Sequence, residues 1–267
     1  MQIEQILKEL NVAFPIYLQE PYDNTGAQIV FSEDKLSGVL ISLDINKAII
    51  EEAKVRGCNL IISHHPFFFK PVKCIDDSEP HASIALKCIY ERISLYAAHT
   101  NLDRLFWQKL GESLGFKPAG TLLDGKEADN VATGFGSFSE TERTMQFSEL
   151  LQHVKIGLGL EYCLYAGEEK PINTIAFLNG AGGGSVEKVL QSRKVDCIVT
   201  GDVNYHNAMY ALEHGTNVID AGHYGTEKVL LNFLMERVRE CLTNAGDEKN
   251  TLLCLSEREE NPFKVFC

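Results

Sequence analysis

Closely spaced cysteines are absent from this sequence. Its eight cysteines, Cys58, Cys74, Cys88, Cys163, Cys197, Cys241, Cys254 and Cys267, include no C-x-x-C pair and no tight Cys/His spacing. That pattern excludes a zinc knuckle and a disulfide framework. Several lie in apolar runs such as Asp196-Cys197-Ile198-Val199, where a reduced thiol serves as a small hydrophobe. Long apolar stretches are also missing: those at 38–41 and 60–62 fall far short of the roughly 20 residues of a bilayer span. Met1-Gln2-Ile3-Glu4-Gln5 carries neither a basic leader nor a cleavable apolar core, so a cytoplasmic protein is expected. Positive charge is scarce, with 25 Lys and Arg against 37 Asp and Glu and a formal net charge of -12. No general nucleic-acid or membrane binding is therefore expected, since both demand an electropositive face. A small anionic substrate stays compatible, because Lys70, Lys73 and Arg104 lie close to the histidine segments described below.

What is present is ordinary globular material: 267 residues, 45% hydrophobic and 23% charged, enough to bury one or two cores. Strand-like runs alternate with helical periodicity, which predicts an α/β protein with helices against the sheet. Helices are expected over 3–10, 46–56, 81–92, 145–158, 185–192, 205–214 and 227–241. Strands are expected over 38–44, 59–62, 94–98, 131–138, 172–178, 197–200 and 218–220. Between 117 and 130, turn-forming and charged residues gather and apolar periodicity lapses, which suggests a boundary between two α/β units. Asn179-Gly180-Ala181-Gly182-Gly183-Gly184-Ser185 lacks the spacing of a dinucleotide fingerprint and the Lys-Ser/Thr end of a P-loop. It is read chiefly as a tight turn, with anion binding at its free amides as the alternative.

Three segments carry chemistry. Ser63-His64-His65-Pro66 closes a strand-like run, His99-Thr100-Asn101-Leu102-Asp103 closes another, and Asp220-Ala221-Gly222-His223-Tyr224-Gly225-Thr226-Glu227 opens a helical one. Strand carboxyl ends are where open α/β sheets place their sites. Imidazole and carboxylate donors suit intermediate divalent ions such as Zn, Fe, Mn, Co or Ni. Neighbouring strand residues point to opposite faces, so His64 and His65 serve one ion only if the chain bends at Pro66; otherwise each serves its own. His223 and Glu227, four apart, share a face if a helix starts near Tyr224. With Asp103 the donors number five, more than one tetrahedral site uses, and two ions bridged by carboxylates fit that count better.

Other polar residues are weighed against structural roles. His99 is a proton-transfer helper or a structural histidine. Gly201-Asp202-Val203-Asn204-Tyr205-His206 offers His206 as a second proton carrier, while Asp202 or Asn204 equally suits a helix start. His81, His153 and His214 sit in helical patterns without nearby donors and are expected to be ordinary.

Taken together, these motifs resemble the signatures of the GTP cyclohydrolase type 2 homologue family, also called NIF-three-like, over nearly the whole chain. Glu20-Pro21-Tyr22-Asp23-Asn24-Thr25-Gly26 is similar to that family's acidic-aromatic-Asp-Asn-x-Gly segment, with Tyr22 where Trp is usual. The resemblance implies a two-lobed α/β fold, each lobe a β-sheet flanked by helices. A discontinuous metal-binding lobe would span 1–125 plus 217–267, and a second lobe 126–216. It also implies a dinuclear centre of His64, His65, Asp103, His223 and Glu227, and a ring-shaped homohexamer with the metal sites facing an internal cavity. One departure follows Asp103: Arg104-Leu105-Phe106-Trp107-Gln108 replaces a Gly-Gly-Val-Asn-like stretch.

The implied activity is metal-dependent hydrolysis, in its most specific form a GTP cyclohydrolase reaction. There metal-activated water attacks C8 of guanine, the ring opens and formate leaves, with His99 and His206 as proton-transfer candidates. A phosphoesterase or amidohydrolase using the same ions is one alternative. A non-catalytic metal-binding, regulatory or metallochaperone-like protein with protein partners is another.

Overall fold

The computed structural model describes residues 1–128 and 131–266. Ile3, Ile6, Leu7, Leu10 and Ala13 recur at helical spacing and are all buried on α1 (Ile3–Ala13), whose start is closed by a Gln2/Gln5 capping box. There follow β1 (Gly26–Ile29), β2 (Gly38–Ser42), α2 (Lys47–Arg56), β3 (Leu60–Ser63), α3 (Pro80–Tyr90), β4 (Ser94–Ala97), α4 (Thr100–Leu105) and α5 (Lys109–Ser113). The chain continues through β5 (Gly120–Ala128), β6 (Val131–Gln146), α6 (Phe147–Gly157), β7 (Leu164–Ala166) and β8 (Pro171–Phe177). It ends with α7 (Val186–Ser192), β9 (Cys197–Thr200), α8 (Tyr205–Glu213), β10 (Asn217–Asp220), α9 (His223–Lys228), α10 (Leu230–Asn244) and β11 (Leu252–Leu255). No helix among the described residues is long and apolar enough to cross a membrane.

Two compact units result, Met1–Leu102 with Leu231–Glu260, and Asp103–Leu230 with Asn261–Cys267. In the first, strands run in the order β1-β4-β3-β2-β11. All are parallel except β1, which pairs antiparallel with β4. The central strands β2, β3 and β4 are buried along their whole length, as parallel strands covered on both faces must be. Leu40, Ile61 and Leu95 from these strands pack with Ile49, Ile50 and Ala53 of α2. Asn46 starts α2 by accepting the Ile49 N–H, and Gly57 ends it in the left-handed conformation (φ 72°).

The second unit holds a six-stranded sheet of order β5-β6-β8-β9-β10-β7. Its central β8, β9 and β10 are parallel, and β5, β6 and β7 join antiparallel. Of the expected boundary region over 117–130, Gly120–Ala128 is strand, and residues 129–130 lie outside the described residues. β5 is a sheet edge, with a register irregularity between Leu123 and Lys126 and Asp124 at φ 47°, features compatible with a break in apolar periodicity. A division at 125/126 would fall inside β5, and one at 216/217 would part β10 from β9 and β7, its partners in the sheet. The helix expected over 227–241 is in fact two, α9 and α10, separated at Val229.

Leu40 is fully buried at the centre of the first sheet. Leu40→Ala is expected to lower the unfolding free energy by about 2–5 kcal/mol, measured by urea denaturation. A loss below about 0.5 kcal/mol would contradict the packing described, since that is the range of surface substitutions.

Candidate metal centre

Strand β3 stops at Ser63, and the next two residues keep backbone bonds to the end of β2: His64 N–H to Ser42 O at 3.1 Å and His65 N–H to Leu43 O at 2.9 Å. Ser63 Oγ donates to His65 O at 2.7 Å, a bond that favours a bend. The two rings then lie 5.0 Å apart, and each is edge-on to His99 beyond β4, at 5.1 and 5.6 Å. One donor atom from each of the three lies within 4.8 Å of the others. Opposite ligands on one ion stand roughly 4 Å apart at metal–nitrogen distances near 2 Å, so the cluster has the scale of a coordination shell. The chain bends, and both members of the pair face the same place as His99.

Each of these rings is held by its Nδ1. His64 Nδ1 bonds to Ala98 O at 2.9 Å, His65 Nδ1 to Asp44 Oδ1 at 2.9 Å, and His99 Nδ1 to Asp23 Oδ1 at 2.8 Å. A carbonyl or carboxylate oxygen can only accept, so Nδ1 carries the proton in all three. In the neutral ring the lone pair is then on Nε2, the arrangement that orients histidine for a metal. Asp23 also accepts the Thr100 N–H at 3.0 Å and the Thr100 hydroxyl. Burial alone would raise the Asp23 carboxyl; the hydrogen bond and charge of His99, with the Thr100 donors, outweigh it and hold the group at about 2.

In the second unit, loops at the carboxyl ends of β8, β9 and β10 build another set. His223 opens α9, and its Nε2 stands 3.0 Å from Glu227 Oε2, one turn on. Its Nδ1 bonds to Asp202 Oδ2 at 2.8 Å. The hydrogen bond to Glu227 raises His223 against the pull of burial, and with the charges of Glu227 and Asp202 the ring reaches about 9. A cation bound there must displace that proton. Asp202 holds its position with φ 55°, a left-handed conformation that Asp tolerates. Asp103 accepts from Asn179 Nδ2 at 2.7 Å, which ties it to the loop that continues into Gly180.

The glycine-rich loop acts by close approach. A Cβ on Gly180, itself at φ 59°, would collide with the Glu227 carboxylate, and the Gly180 N–H donates to Thr226 Oγ1 at 2.9 Å. Likewise a Cβ on Gly201, just past the end of β9, would fall 2.6 Å from the His223 backbone nitrogen. The tight-turn reading of this loop therefore holds, and residues 182–185 form a short 3-10 turn.

The remaining expectations separate. His206 is exposed on the first turn of α8, with its ring edge-on to Tyr205, and it belongs to neither donor set just described. Asn204 caps α8 by accepting the Asn207 N–H at 2.9 Å. His81 stacks on Phe67 at 3.9 Å, His153 Nε2 donates to Leu114 O at 2.6 Å, and His214 Nδ1 donates to Tyr210 O at 2.8 Å; all three are structural. Arg104 lies over the Phe135 ring at 4.4 Å and donates to Asp124 O at 3.2 Å, so the departure after Asp103 is used for packing. Asp44, Asp23 and Asp202 were missed as ring holders, although Asp23 stands in the segment Tyr22-Asp23-Asn24.

The model of the family Duf34/NIF3 (NGG1p interacting factor 3) matches residues 1–262. The chain belongs to that family. The "GTP cyclohydrolase 1 type 2 homolog" of Clostridium acetobutylicum is 34% identical over 255 residues, covering 94% of this chain and 93% of the relative. The "GTP cyclohydrolase 1 type 2" of Helicobacter pylori strain J99 is 30% identical over 226 residues, covering 85% and 87%. The crystal structure of Staphylococcus aureus protein SA1388 superposes with a TM-score of 0.88 at 25% identity, covering 100% of this chain and 99% of that one. The two helix-flanked sheets are thus the Duf34/NIF3 fold.

Asp23 drops from an ordinary 3.8 to about 2, so its contribution is full above the unfolded value and is lost as pH falls through the folded one. Asp23→Asn should cost about 2 kcal/mol at pH 7, with the gap closing between about pH 4 and 2 in urea unfolding curves; a gap independent of pH would contradict the His99 pairing. Gly180→Ala should displace the Glu227 carboxylate from His223 and lower the His223 pKa from about 9, measured by NMR titration, and an unchanged value would contradict the close approach.

Proposed function

We propose that this Duf34/NIF3 member binds two divalent cations through His64, His65, Asp103, His223 and Glu227, and that it is a hydrolase of the kind its relatives' names describe. The observation that carries the reading is the common tether. His64, His65 and His223 each commit Nδ1 to a carbonyl or carboxylate oxygen, which orients Nε2 as the ligand atom. A buried carboxylate, Glu227, lies beside one of them. This donor set fits Zn, Fe, Mn, Co or Ni.

Bound cations would supply activated water and offset developing oxyanion charge. The chain's own residues do the rest. Asp44 and Asp202 fix His65 and His223, and Gly180 leaves room for the Glu227 carboxylate. His99, held by buried Asp23, is assigned the proton transfer in preference to the exposed His206. GTP is the proposed substrate on the strength of the relatives' names. A cytoplasmic homohexamer is proposed from the family resemblance.

Elemental analysis of protein purified without added metal should give about two ions per chain, the dinuclear count. Turnover of GTP should accompany it, with His64→Ala and Glu227→Ala losing both metal and activity. A chain that takes up no metal even after soaking would sink the proposal. Full metal loading without turnover of GTP or of a panel of phosphoesters would assign the protein to metal binding or regulation instead.

A further inference from the structure

We infer that Glu259, from the segment that follows β11, is a positioning residue for His65. The inference rests on the reading of His65 as a metal ligand. β11 pairs parallel with β2, and the chain beyond it stays on that strand's carboxyl end. The Ser256 N–H donates to Ile41 O at 2.8 Å, Ser256 Oγ to Glu52 Oε2 at 2.5 Å, and the Glu257 N–H to Glu52 Oε1 at 2.9 Å. Two residues later, Glu259 Oε1 accepts the Leu43 N–H at 2.7 Å.

Leu43 and Asp44 are the residues that grip His65. The Leu43 carbonyl accepts the His65 N–H at 2.9 Å, and Asp44 Oδ1 accepts the ring Nδ1–H at 2.9 Å. One carboxylate from the far end of the chain thus fixes the turn that holds His65 at both backbone and ring. The turn is short, since β2 ends at Ser42 and Asn46 already caps α2. Moving the Leu43 amide would therefore carry Asp44 with it. Leu43 is buried, where water cannot readily take Glu259's place as the acceptor of its N–H.

The test compares the full-length protein with E259A, E259D and E259Q. Zn²⁺ affinity is read by calorimetry, and the His65 Nδ1–H signal is read by ¹⁵N-resolved NMR on the metal-free protein. E259A is expected to weaken Zn²⁺ binding by about 10- to 100-fold, the usual cost of losing a partner behind a ligand, and to broaden or shift the His65 signal. E259D, which keeps the carboxyl group but withdraws it from Leu43, should show a smaller loss of the same kind. E259Q, which keeps an oxygen acceptor, should largely restore both. Wild-type affinity and an unmoved His65 signal in E259A and E259D would overturn the inference, as would an E259Q protein no better than E259A. If the wild-type chain binds no Zn²⁺, the metal reading fails, while the metal-free His65 signal still decides whether Glu259 positions that ring.

Discussion

The candidate centre depends on one constraint: an imidazole is a useful ligand only if its other nitrogen is held. Four histidines meet it with Nδ1 bonds of 2.8–2.9 Å to oxygen acceptors. Where the acceptor is a carboxylate, as for His65, His99 and His223, the bond contributes about 1.5–3 kcal/mol, and freezing a side chain costs up to about 2 kcal/mol. The tether can therefore outweigh the rotamer freedom it removes. The acceptors are presented by loops near strand carboxyl ends, such as Asp44 after β2 and Asp202 after β9. Within each unit the buried parallel strands thus set the spacing of its own donors, and the loops set their orientation.

Much of the donor chemistry is visible along the chain because it is local. His64 and His65 are adjacent, and His223 and Glu227 are one helical turn apart, so neighbouring residues and a helical period suffice to pair them. Their holders are not local. Asp44 precedes His65 by 21 residues, Asp23 precedes His99 by 76, and Asp202 precedes His223 by 21. An isolated aspartate in a loop carries no periodicity that would mark it. The glycine loop is a related case: its composition announces a turn, but only folding brings Gly180 against Glu227.

The same division between local and distant information explains the strands. Central β2, β3, β4, β8, β9 and β10 are apolar runs and are readily anticipated. The four that escape notice, β1, β11, β5 and β7, are the edges of the two sheets. An edge faces solvent along one side and needs no continuous apolar run; the exposed Leu164 and Tyr165 of three-residue β7 and the acidic turn within β5 are examples. Helix ends marked by Asn46, Gly57 and Asn204 are legible for the opposite reason, since capping is chemistry between near neighbours.

β11 also bears on the order in which the protein can be made. The first unit draws its edge strand from residues 252–255, whereas the second unit's sheet is complete by Asp220. Domains tend to fold as units while the chain is being synthesised. Here the sheet that begins first is completed last, with an open edge on β2 while the strands of the second sheet are translated. His65 and its support at Leu43 therefore take their final form only once residues 252–259 are made, so a ribosome that stops short of them leaves the first sheet unclosed.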